Sequence, residues 1–205
     1  WLAVFAGGFT LEAAQGVLAP ALPEADEWER LDTLQLLQDM ALLAPTGAAA
    51  PPVAAPVDED ERLRQHVAGP AASSPLTGPR LRLLDSVRLL ALERLDTAGE
   101  LQAARGAHLD WVHDRWCEAE DATLQVGVEH WLVPLEPEVA NLIAAVEHAL
   151  DRAPPAADAA PDPRLASLLA ACTHFCLRSG LGPRLLRWRD VDLAGRGILA
   201  PLLAG

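Results

Sequence analysis

Two groups of residues have the types and spacing that metal chemistry would need. Cys172 and Cys176 lie four positions apart with His174 between them, and His113 and Cys117 repeat the spacing of four upstream. Positions i and i+4 share a helix face, so the two pairs could meet across a helix packing and hold a tetrahedral zinc ion. His174, however, points about 160° away from the mean direction of its flanking cysteines, which breaks the local cluster. Small cysteines are ordinary core residues, and the expectation is buried, unliganded thiols and no metal site. His108 is a candidate base or pH-sensitive contact, but no nucleophile or carboxylate stands at a spacing that pairs with it. The expectation there is a core-edge histidine that donates one hydrogen bond. Ser73 and Ser74 have no local histidine and no strand-turn elbow or oxyanion hole around them. No GxxxxGK[ST] run occurs, and the chain has no lysine to supply that motif's charge. The sequence therefore predicts no catalytic residue and no cofactor held by this chain, which is not expected to be an enzyme.

Three arginines and three tryptophans remain as interaction candidates. Arg80, Arg82 and Arg88 fall close together and could contact nucleic-acid phosphates or form a domain interface. Acidic surroundings favour the interface. The chain has a formal charge of -13; residues 1–98 carry 7 arginines against 14 carboxylates, and residues 99–205 carry 9 against 15. Neither half offers the positive surface that binding a phosphate backbone requires, so direct nucleic-acid binding is not expected. Trp111, Trp116 and Trp131 are read either as lining a groove between helices or as ordinary core anchors.

The elements that must position these residues are mostly helices. Hydrophobic residues make up 51% of 205, Tyr is absent and Phe scarce, and Ala and Leu are helix formers. Residues 1–6 read as the end of a helix broken by Gly7-Gly8. Thr10 caps a short helix with Ala13, Ala14, Val17 and Leu18 inward. Asp26 opens another, with Trp28, Leu31, Leu34, Leu37 and Ala41 as its apolar stripe. Leu42 to Pro45 reads as a strand, and 48–77, rich in Ala and Pro, as an exposed insertion. At Arg80–Leu83 the residues alternate as in a half-buried strand. The period then changes to that of a helix, with Leu84, Val87, Ala91 and Leu95 on its core face and Leu90 beside them. Asp85 or Ser86 is its expected cap, and Gly99 its stop. Leu101, Ala104, His108, Val112, Trp116 and Ala119 recur at helical spacing, and so do Val139, Leu142, Ile143, Val146 and Leu150. Further helices are expected from Arg164 to Ser179 and from Pro183 through Trp188, and such pairs suit a helical-repeat array.

The stretches WLAVFAGGFTLEAAQGVL, LQLLQDMALL and PRLRLLDSVRLLALERLDTAGE resemble the region after the ATPase core in bacterial signal-transduction ATPase (STAND) transcriptional regulators. His108, Trp131-Leu132, Glu138 and Asn141-Leu142 also fit that family's pattern, as do Phe175, Gly180 and Trp188 further on. The resemblance leaves out only 48–77. Met40 and Ala41 depart from the family's Lys-Ser pair, and Leu89 and Leu90 from its Glu-Tyr pair. What the resemblance implies is a mainly α chain: a winged-helix domain over 1–98 with a small β-hairpin wing, then the start of an antiparallel, TPR-like helical array over 99–205. It implies a non-catalytic coupling fragment whose parent protein holds ATP or ADP. Its partners would be the upstream ATPase domain, further helical repeats and a protein or small-molecule effector. Three cysteines form no secreted disulfide framework, and the apolar start WLAVFAGGF is too short to span a bilayer. With no initiator Met before Trp1, the expectation is a piece of a larger cytoplasmic protein.

Overall fold

The computed structural model describes residues 1–46, 79–126, 135–151 and 162–195. The chain starts as a single 3-10 turn, Leu2–Val4, all three residues buried. The longer helix end expected over 1–6 is not there. Helix α1, Leu11–Leu18, follows, its first turn closed by the Thr10 hydroxyl accepting from Ala13 N at 3.2 Å. Its inward residues are Ala13, Ala14, Val17 and Leu18. Helix α2, Glu27–Asp39, has a reciprocal cap: Asp26 accepts from Glu29 N, and Glu29 accepts from Asp26 N.

Strands β1, Leu43–Thr46, and β2, Arg80–Leu83, pair antiparallel, with Leu43 opposite Leu83 and Thr46 opposite Arg80. The expected 48–77 insertion lies outside the described residues. Phe9 joins β2 by a two-way bridge, exchanging 2.8 Å backbone hydrogen bonds with Leu81. Two glycines make this approach possible. Gly8 has φ +77, and a Cβ there would sit 2.8 Å from Leu81 O and 2.9 Å from the Thr46 hydroxyl. A Cβ on Gly7 would lie 2.8 Å from the Ala140 methyl.

The remaining helices are α3, Asp85–Thr97; α4, Leu101–Val126; α5, Val139–Asp151, preceded by a 3-10 turn over Glu136–Glu138; α6, Pro163–Arg178; and α7, Gly182–Gly195. Gly99 and Gly180 adopt positive φ just past α3 and α6 and stop both helices as their positions predict. The described chain is thus mainly helical with one open antiparallel hairpin. Among the described residues no helix is long and apolar enough to cross a membrane.

Two hydrophobic cores share the long helix α4. The first gathers the 3-10 turn, Phe5, Phe9, α1, Leu34, Leu43, Leu83, Leu95 and Ala104. The second gathers the middle of α4 with α5, α6 and α7. Trp111 packs against both.

Several expected core positions face outward. On α2 only Leu34 is buried, and Trp28 is 75% exposed. Six positions separate these two residues, which sets them about 120° apart around the helix. Ala41 has left the helix altogether, at φ 56. Leu84 is 39% exposed: it is the N-cap of α3, with φ -58 and ψ 141, so its side chain does not follow the helical face. Leu90 stands about 140° around α3 from the buried Leu95 and is exposed as well. Neither Asp85 nor Ser86 caps α3, which has no side-chain cap bond.

The packing therefore predicts that Leu95→Ala costs about 2–5 kcal/mol, whereas Leu84→Ala costs about 1 kcal/mol or less, since much of that side chain is already in water. Urea denaturation of the two variants checks the order. A larger loss for Leu84→Ala would mean that the first core is centred elsewhere.

Candidate functional site

The most elaborate polar arrangement in the described chain lies where α5 begins, at the Gly7-Gly8 turn. Asn141 is fully buried, and its side-chain amide makes four hydrogen bonds. Oδ1 accepts from Ala6 N and Gly7 N, both at 3.0 Å, and Nδ2 donates to Gly8 O at 2.8 Å and to Glu138 Oε2 at 2.7 Å. That uses the full capacity of the group. The other oxygen of Glu138, a residue only 1% exposed, pairs with the Arg80 guanidinium. Arg80 also donates to Gly8 O at 2.9 Å and to Gly7 O at 3.4 Å. Arg88 donates from Nε to Phe5 O at 3.0 Å. The backbone from Phe5 to Gly8 is thus held by an arginine from the hairpin, an arginine from α3, and a Glu–Asn pair at the start of α5.

Each local sequence explains its part. The 3-10 turn at Glu136–Glu138, with Pro137 in it, runs straight into α5, so Glu138 and Asn141 fall three apart on one face. The β2 alternation aims Arg80 toward the turn. Because Gly7 has no Cβ, α5 can approach the turn backbone directly. The cluster has no nucleophile, and its carboxylate and amide are fully engaged. It clamps and aligns; it has no group free to react.

Of the three arginines read as an interface, Arg80 and Arg88 are bonded inside the chain. Arg82 is exposed and lines an open cavity beside the same turn. Trp111 is half-buried, edge-on to Phe5 at 5.9 Å, with the Arg115 guanidinium 5.8 Å from its ring. Trp116 is buried edge-on to Phe175 at 5.0 Å and lines no open groove. Trp131 lies outside the described residues. His113 approaches Cys117 at 3.6 Å, but its ring nitrogens also meet Asp114 at 2.9 Å and Ser167 at 2.7 Å. Cys172 and Cys176 are buried in the second core. Among the described residues no three potential metal ligands gather.

His108 departs from its expected place at the core edge. It is fully buried, T-shaped against Phe5 at 4.8 Å, and neither ring nitrogen has a hydrogen-bond partner. Burial, with His148 and Arg88 adding repulsion, pushes its pKa down to about 3. His148 on α5 is also held below its ordinary value, first by burial and then by Arg105 on α4, with Asp151 and Glu147 opposing. His108 is therefore a neutral imidazole in the first core, unsuited to proton transfer near neutral pH.

The architecture defines a class only: a mainly helical protein with one antiparallel hairpin, clasped at a part-buried turn. Compared with protein-family models, curated proteins and solved structures, the chain matches none of them.

Two predictions follow from the buried groups. Removing one partner of a buried ion pair strands the other, so Glu138→Ala should lose about 3–5 kcal/mol, whereas the double change Arg80→Met, Glu138→Leu should recover much of that loss. Chemical denaturation of the three proteins measures it. For His108 the folded pKa lies below the unfolded value of 6.5, so the unfolded chain binds the extra proton. Stability is full above about pH 6.5 and falls as pH drops toward 3, at a limiting slope of about 1.4 kcal/mol per pH unit. A His108→Phe protein should show a shallower decline between pH 6.5 and 4; parallel curves for the two proteins would contradict the assignment.

Proposed function

We propose that this chain is a non-catalytic coupling fragment of an ATP-dependent bacterial transcriptional regulator of the STAND class. In this reading the first half is a winged-helix domain with the hairpin as its wing, and the second half begins a TPR-like array. The parent's upstream ATPase domain holds ATP or ADP, and the array continues into further repeats that meet a protein or small-molecule effector in the cytoplasm.

The observation that carries the reading is the clasp. Arg80 from the hairpin and Asn141 from α5, joined to each other through Glu138, grip the same Ala6-Gly7-Gly8 turn. Any rotation of one half against the other must break buried, charge-assisted hydrogen bonds, so displacement is passed on as a rigid-body movement. Exposed apolar residues on α2, just past its end and on α3, among them Leu36, Met40, Leu89 and Leu90, provide area on which an adjoining domain could pack. The net charge of -13 favours protein partners over nucleic acid.

One observation favours a second reading, a constitutive interaction scaffold with no nucleotide response. The Glu138 and Asn141 side chains are fully bonded and shielded from water, as a permanently closed joint requires. The parent polypeptide, with its ATPase portion, separates the two readings when effector or partner binding is measured by titration in ADP and in ATP. Coupling predicts affinities that differ by about 5- to 150-fold, with Arg80→Met narrowing the gap. Equal affinities in both nucleotides would overturn coupling and leave the scaffold.

A further inference from the structure

We propose that the cavity between the Gly7-Gly8 turn and the hairpin binds a small zwitterion, an α-amino acid whose carboxylate pairs with Arg82 and whose ammonium pairs with Asp85. The open cavity, about 240 Å³, is lined by the Phe5–Phe9 turn, Thr46, Arg82, Leu83 and Asp85. Arg82 and Asp85 line the same space with opposite charges. Among the described residues neither has an ion pair, and they are not paired with each other. Both charges are therefore available to a ligand in the cavity.

Charge selects the class of ligand. A simple anion would meet Asp85 and a chain of net charge -13; a simple cation would meet Arg82. A molecule with a carboxylate and an ammonium a few bonds apart satisfies both groups and carries no net charge for the protein's field to repel. Arginine presents a planar fork suited to a carboxylate. The Thr46 hydroxyl offers a further polar contact on the same lining.

The site is also formed in advance. Its floor is the turn that Asn141 and Arg80 hold at both backbone faces, so binding orders little that is not already fixed. Gly8 keeps the space open. A Cβ there would crowd the Thr46 hydroxyl at 2.9 Å and touch the Arg82 Cβ at 3.6 Å, two residues that line the cavity. The proposal concerns the 205-residue chain alone and holds or fails independently of any response to nucleotide.

Isothermal titration calorimetry of the 205-residue chain with L-leucine tests it, alongside N-acetyl-L-leucine, which lacks the ammonium, and L-leucinamide, which lacks the carboxylate. L-leucine should bind saturably, and each analogue should bind at least about tenfold more weakly. Arg82→Gln and Asp85→Asn should each weaken L-leucine by a similar factor. Both side chains are exposed, so both variants should keep the parent melting curve. Amide chemical-shift changes should centre on Gly7, Gly8 and Arg82. Absence of saturable binding would overturn the proposal, as would shifts centred elsewhere. Equal binding of N-acetyl-L-leucine, or full affinity in Asp85→Asn, would reduce the cavity to a carboxylate contact and overturn it equally.

Discussion

A turn that carries part-buried amides and carbonyls without belonging to a helix or a sheet finds its hydrogen-bond partners elsewhere, and this constraint shapes the chain. Ala6, Gly7 and Gly8 are in that position. Only Phe9 reaches a strand, through its bridge to Leu81. An unpaired buried backbone group costs about as much as a lost hydrogen bond, so the turn is viable only if side chains from outside supply what a ladder would have supplied. Asn141 does so with both ends of one amide, and Arg80 with two donors. Asn141 needs Glu138 to accept its second proton, and Glu138 needs Arg80 to neutralise its charge. Satisfying one turn thereby draws together the hairpin and the start of α5, which lie nearly sixty positions apart in sequence.

Such an arrangement contributes more to uniqueness than to stability. Desolvating Glu138 and Arg80 offsets most of their attraction, and the two apolar cores supply the bulk of the favourable free energy. Those cores, however, would tolerate many relative placements, because aliphatic contact is non-directional. The hydrogen bonds tolerate one. The glycines sharpen the same choice: α5 can approach only where Gly7 lies, and the hairpin only where Gly8 lies. Trp111, packed on both cores and edge-on to Phe5, fills the remaining volume at that junction. His108 is the exception in this neighbourhood, a polar ring enclosed beside Phe5 with no partner. Its cost is tolerable because a neutral imidazole is far cheaper to bury than a charged one.

Much of the secondary structure was legible in the sequence because it depends on near neighbours. Thr10 as a cap, Asp26 as a helix start, Gly99 and Gly180 as stops, the hairpin strands and the α4 stripe of Ala104, His108, Val112 and Trp116 all rest on propensity, capping or period. The reading went wrong where helical periodicity was carried past a helix end. Leu84 and Ala41 stand where the backbone is no longer helical, so the helical face does not extend to them. Trp28 joins the expected stripe by its spacing of three from Leu31, yet it stands about 120° around the helix from the buried Leu34. For the clasp one signal was available: Asn141 interrupts an otherwise apolar stripe that includes Val139, Leu142 and Val146. A polar residue on a buried face demands a partner. Its identity is a tertiary matter and could not be read from spacing.

Arg80 and Arg82 show why the last step from element to site resists sequence reasoning. They are two apart on one strand, so the pleat sends them to the same face, and their local sequences are almost alike. Yet one is nearly enclosed and fully bonded while the other is exposed at a cavity. The difference arises beyond the strand. The start of α5 covers the Arg80 end of β2, bringing Glu138 with it, whereas the Arg82 end faces the start of α3, where Asp85 stands too far off to pair. Alternation determined the direction of both side chains. What each one meets was decided by the docking of helices remote in sequence, and that docking in turn depends on two glycines with no side chain of their own.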